Sequence, residues 1–152
     1  MKRLIAAAAK GNPDAEYSLG VIYDNRIDDH GNAVGPTDDK GSPIASDRAE
    51  AMKWLLRAAE HGHARAQMRL AELYAAGPAA GRDYRRACQW FLVAMHGLNG
   101  VYRQRAQNGY DSACLQLTTT EVVAAERQAR DWQRRRRATN LAPTFTPIQV
   151  AP

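Results

Sequence analysis

The feature that most constrains this chain is that its sequence can be laid on itself twice. A shift of 51 positions sets Ala8, Gly11, Ala15, Leu19 and Tyr23 on Ala59, Gly62, Ala66, Leu70 and Tyr74. A shift of 36 positions sets Asp47, Ala51, Trp54, Leu55 and Ala58 on Asp83, Ala87, Trp90, Phe91 and Ala94. Two kinds of segment therefore alternate, each with apolar residues at helical spacing. A lone helix pair cannot cover its own apolar face, so the repetition implies stacked pairs: an all-α superhelix, or solenoid.

Local signals agree with helices. Alanine dominates the apolar residues, and β-branched residues become frequent only near the C-terminus, which favours close-packed helices over strands. In the first kind of segment, Asp14 after Pro13 is a sensible helix start, and small Gly20 and Ala71 allow a neighbouring helix to approach. In the second kind, Asp47 and Asp83 stand where a side-chain oxygen caps the first turn, with a Trp and several Ala forming the buried stripe. Gly62 and Gly97 are expected to be left-handed helix stops. Farther on, Thr118 is expected to cap a last helix, with Glu121 completing the capping box and Leu117 stapling to Val122. Ala125, Gln128, Ala129 and Trp132 give that helix an inward stripe.

These residues carry a family resemblance. The segment Ala49–Tyr74, with Trp54-Leu55, Ala58-Ala59, Gly62, Ala66, Leu70-Ala71 and Leu73-Tyr74 in register, closely resembles Sel-one-like repeats, relatives of the tetratricopeptide repeat. The likeness extends to Ala8–Tyr23 and Asp83–Ala94, and Leu117–Trp132 is similar to the closing helix of many such proteins. On this reading residues 1–137 form the solenoid, with an inserted loop at 24–46 and a closing helix at 117–137, and residues 138–152 form an extended tail. Gly97–Gln116 lacks the signature and reads as a degenerate, capping-type repeat. The loop is much longer than the family's short connection and is the chief departure from the pattern.

The resemblance implies an adaptor or regulatory module that binds another protein or peptide and catalyses no reaction. In related repeats the first helix of each pair forms the inner face. With Ala15, Leu19 and Tyr23 as core, Asp14, Tyr17, Ser18 and Val21 fall on that face, and Arg65, Met68, Arg69 and Glu72 are their counterparts one repeat later. Tyr17, Val21 and Met68 are expected to meet apolar groups of a partner, while Arg65, Arg69 and Glu72 set its polarity.

Other chemistry is weaker. No cluster of acid, base and nucleophile stands at a spacing that suggests catalysis, and no cofactor is indicated. His61 and His63 flank Gly62, but there is no second ligand pair, so a metal is not expected. The loop's Asp24, Asp28, Asp29, Asp38 and Asp39 do not follow a calcium-loop ladder, and a solvated acidic loop or a partner-specific arm fits better. Cys88 and Cys114 are too few for a disulfide framework and lie in helical stretches, where free thiols pack as small buried hydrophobes. The family's disulfide-rich branch, for which penicillin binding has been proposed, staples each repeat with its own pair, a pattern broken here.

Charge is uneven: residues 1–46 hold 5 basic and 7 acidic side chains, and 47–152 hold 16 and 9. Arg134–Arg137, after Arg127 and Arg130, make a basic end open to an anionic partner. Without interleaved aromatics, nucleic acid is disfavoured against helix-dipole compensation and solvation. Salt-sensitive binding to random duplex would favour nucleic acid, and β-lactam turnover surviving loss of both cysteines would favour an enzyme. The apolar run at the start ends at Lys10, shorter than an export signal requires, and no membrane span is visible. The expected setting is the reducing cytoplasm, and the oligomeric state is left open.

Overall fold

The computed structural model describes residues 1–24, 47–77 and 82–141. They form seven helices: α1 (Lys2–Ala9), α2 (Pro13–Asp24), α3 (Arg48–Glu60), α4 (Ala64–Ala76), α5 (Tyr84–Gly97), α6 (Gly100–Cys114) and α7 (Thr119–Leu141). From α1 to α6 each helix packs on the next. Alternate helices also touch, α2 with α4, α4 with α6 and α5 with α7. The result is the expected all-α solenoid, with α2, α4 and α6 lining one side.

Both repeat shifts reappear as shared burial. Ala8 and Leu19 are as fully covered as Ala59 and Leu70, and Ala51, Leu55 and Ala58 match Ala87, Phe91 and Ala94. Gly11 and Gly62 turn the chain between helices at φ +80° and +88°, a region that β-carbons disfavour. Gly97 departs from the expectation: it ends α5 without a left-handed turn. There a Cβ would lie 2.8 Å from that of Ala64, so Gly97 serves close approach of α4. Gly20 plays the expected part for α3, since a Cβ there would meet Leu55 Cγ at 2.5 Å.

The caps explain where the helices start. Asp47 accepts from the amides of Ala49 and Glu50, and Asp83 from that of Arg86. Asn12 caps α2 by accepting from Ala15 N at 3.0 Å. The corresponding residue one repeat later is His63, whose Nδ1 accepts from Ala66 N at 3.1 Å. At α7, Thr118 and Glu121 form the capping box, and those bonds hold the Glu121 carboxyl below its usual range. Ala125 and Ala129 are buried, and Trp132 meets Trp90 edge-on at 5.7 Å. Gln128, however, points to solvent. α7 runs on to Leu141, four residues past the expected boundary at 137.

Two further expectations are corrected. Cys88 and Cys114 are not free thiols: they form a disulfide between α5 and α6, with Cα atoms 6.0 Å apart. Sequence spacing, at 26 residues, hid a contact that helix stacking creates. The basic end is not all solvated either. Arg136 turns inward over Gly62, donating to the carbonyls of Glu60, at 2.8 Å, and His61, and so closes the C-terminal end of α3.

A buried charge sits between the first two layers. Glu16 of α2 is fully buried, 3.1 Å from Arg57 and 2.6 Å from His61 Nδ1. The corresponding residue one repeat later is Gln67, which is buried and donates to Ala59 O at 3.0 Å. A carboxylate cannot donate to the matching carbonyl, that of Ala8, and Arg57 supplies that bond instead at 3.3 Å. Among the described residues no helix is long and apolar enough to cross a membrane.

Candidate functional site

Five of the six residues expected on the inner face border one cleft. Tyr17 and Val21 on α2, Arg65, Met68 and Arg69 on α4, and Tyr102 and Arg105 on α6 surround a cleft of about 70 Å³. Helical spacing explains the grouping, since Tyr17 and Val21 are four apart, as are Arg65 and Arg69, and so share a helix face.

Tyr17 stacks on His63, with ring centroids 4.4 Å apart and an interplanar angle of 18°. The Arg65 guanidinium lies 5.6 Å from the Tyr17 ring centre and 4.6 Å from that of Tyr102. It also donates to the Tyr102 hydroxyl at 3.1 Å. This is a cation held between two aromatic faces, one from each neighbouring layer. His63 anchors the arrangement: its Nδ1 caps α4 while Nε2 reaches Asp14 at 3.3 Å. Burial pulls its pKa below the ordinary value, outweighing Asp14, which raises it. The ring is therefore kept neutral, with Nδ1 free to accept.

The other expected residues are more committed to the fold than sequence suggested. Met68 is 5% exposed and belongs to the core. Arg69 and Glu72 are largely buried and join a chain of charges: Arg69 to Asp24 at 2.9 Å, Arg69 to Glu72 at 3.3 Å and Arg105 to Glu72 at 2.6 Å. Asp24 is thus an interlayer anchor. The remaining loop carboxylates, Asp28, Asp29, Asp38 and Asp39, lie outside the described residues.

The contribution of α6 was not read from the sequence, because Gly97–Gln116 lacks the repeat signature. One signal was present. The shift of 36 that relates Asp47 to Asp83 also carries Arg69 to Arg105 and Tyr74 to Tyr110. His61 and His63 have different partners: one pairs with Glu16, the other with Asp14 and the Ala66 amide. Among the described residues no group of three or more His, Cys, Asp or Glu could hold a metal ion.

The Sel1 repeat family model matches residues 33–63 and 64–94. Within that span, residues 33–94, the chain carries two Sel1 repeats. The first match begins within residues that the structure does not describe, and the second spans α4 and most of α5. The chain is also similar in structure to a protective antigen present in uropathogenic Escherichia coli strains, which displays an SLR fold. The TM-score is 0.66 at 24% identity, over 92% of this chain and 27% of that one. The likeness shows the fold, and the present chain spans about a quarter of the antigen's length. No curated protein matches the chain.

Proposed function

We propose that the surface formed by α2, α4 and α6 docks another protein or peptide, and that this chain is an interaction module rather than an enzyme. A Sel1-repeat solenoid is a protein-interaction architecture in general, and one observation supports the finer reading. Tyr17, Val21, Arg65, Met68 and Arg69, chosen as a face from helical spacing, line one cleft together with Tyr102 and Arg105.

The surface has the composition of an interaction centre: two aromatic rings, an arginine between them and charges at the edge. Tyr17, Arg65 and Tyr102 are the anchors, with Val21 beside them. Arg69 and Glu72 position those anchors by fixing α2, α4 and α6 relative to one another, and Met68 packs beneath. The Cys88–Cys114 bond favours an oxidising setting over the cytoplasmic one, because such bonds persist where thiols are not kept reduced.

The test is capture from an extract of the source cell, with bound proteins identified by mass spectrometry. The intact protein is compared with a Tyr17→Ala, Arg65→Ala, Tyr102→Ala variant and with an Arg127→Ala, Arg130→Ala control on α7. A specific protein retained by the intact form and the control but lost by the inner-face variant is the expected result. Equal retention by the variant, or loss with the control, would contradict the reading.

A further inference from the structure

Of the three walls of the inner surface, α6 is the least anchored. It buries only Ala106 and Ala113, whereas α4 buries six residues that include Met68, Leu70 and Leu73. Its cap residue, Asn99, makes no side-chain cap bond. Gly109 lets the backbone of α6 approach the Phe91 ring closely, since a Cβ there would lie 2.4 Å from it, but it contributes no side chain to that contact. A cleft of about 440 Å³, bordered by Phe91, Gly109, Ser112 and Ala113, runs along the same side.

Polar ties of α6 to its neighbours include Arg65 to Tyr102, Arg105 to Glu72, and Tyr110 to Glu126 at 3.0 Å. Arg65 and Arg105 are solvent-exposed, which lowers what each contributes, although Arg105 meets a largely buried Glu72. Beside these contacts stands one covalent link. Cys114 is the last residue of α6, and its partner Cys88 is fully buried in α5.

We propose that the Cys88–Cys114 disulfide holds α6 in place, so that the docking surface is complete only while the bond is intact. This rests on the docking reading above for its functional meaning. The bond ties down the helix that carries Tyr102 and Arg105, and opening it frees one wall of the cleft.

The chemistry is ordinary exchange with a dithiol. Cys114 is half-buried and Cys88 fully buried, so a thiolate attacks Cys114 Sγ and the S–S bond breaks toward Cys88, which takes up a proton. The second thiolate of the reductant then attacks its own mixed-disulfide sulfur and releases Cys114, which is protonated in turn. Two electrons pass from the dithiol, which ends as a cyclic disulfide, to the two cysteines. Once the bond is open, the docked fraction of α6 sets the apparent affinity of the surface.

Hydrogen–deuterium exchange on the full chain, with no partner present, tests this. On reduction by dithiothreitol, amides of residues 100–114 should exchange at least ~10-fold faster, while those of α4 change little, as expected for a local opening. A Cys88→Ala, Cys114→Ala variant that circular dichroism shows folded should exchange fast in α6 with or without the reductant. Unchanged α6 rates on reduction, slow α6 exchange in the double variant, or equal acceleration of α4 and α6 would overturn the proposal. Because no partner takes part, failure of the docking reading leaves this result unaffected.

Discussion

The buried carboxylate of Glu16 gives an asymmetric prediction. Glu16 is fully buried, while the side chains of its partners Arg57 and His61 are 40% and 42% exposed. In Glu16→Gln both partners remain in contact with water, the cost of burying a charge disappears, and the new amide can donate to Ala8 O as Gln67 does to Ala59 O. A net hydrogen bond of this kind contributes about 1 kcal/mol, roughly offsetting the lost attraction. The variant should lie within ~1 kcal/mol of the parent. Arg57→Met keeps most of the packing over Trp54 but strands a buried carboxylate with His61 alone. Stranding a buried charge costs about 3–5 kcal/mol, and the remaining histidine reduces this to roughly 2–3 kcal/mol. Urea denaturation of both variants, with a common m-value as the check on two-state behaviour, reads the difference. A Glu16→Gln loss equal to or larger than that of Arg57→Met would refute the reasoning.

Three further predictions follow from particular contacts. His63 has a lowered pKa in the folded chain, so the unfolded chain binds the proton first. Stability is therefore full above the unfolded value of about 6.5 and falls as pH drops below it. His63→Ala should cost about 1 kcal/mol at neutral pH through the lost cap and should flatten that pH dependence, as thermal denaturation from pH 5 to 8 would read. Gly109→Ala gains about 1 kcal/mol of helix propensity but drives a methyl into the Phe91 ring, so a net loss of ~1–2 kcal/mol is expected in urea titration. Arg136→Ala should cost roughly 1 kcal/mol by releasing the carbonyls at the end of α3, whereas Arg134→Ala on the exposed face should stay within ~0.5 kcal/mol.

How much of this was legible in the sequence depended on whether a feature repeats. Ala8, Leu19, Ala51 and Leu55 were readable because each has a counterpart 51 or 36 positions away, and Asp47, Asp83 and Thr118 because capping depends on neighbours in sequence. The inner face was readable on α2 and α4 for the same reason. What escaped depends on contacts between layers. Helical spacing put Met68 and Arg69 on the inner face, yet it says nothing of how deeply α2 and α6 cover them. The Cys88–Cys114 bond joins residues that only the packing of α5 on α6 brings within reach. Arg136 lay inside a run of four arginines, and its inward turn depends on a contact with Glu60, 76 positions earlier in the chain. Tyr110 also turns to a neighbour: it donates to Glu126, and burial together with that carboxylate pushes its phenol up to about 12.

The central claim, that the side formed by α2, α4 and α6 is the docking surface, is tested most directly by site-specific photo-crosslinking in the source cell. A photoreactive residue replaces Tyr17 or Tyr102 on that side, and in parallel Arg127 or Arg130 on the exposed face of α7. Adducts to the same protein from positions 17 and 102, absent from positions 127 and 130, are the predicted result. Adducts from the α7 positions with none from 17 and 102 would contradict it.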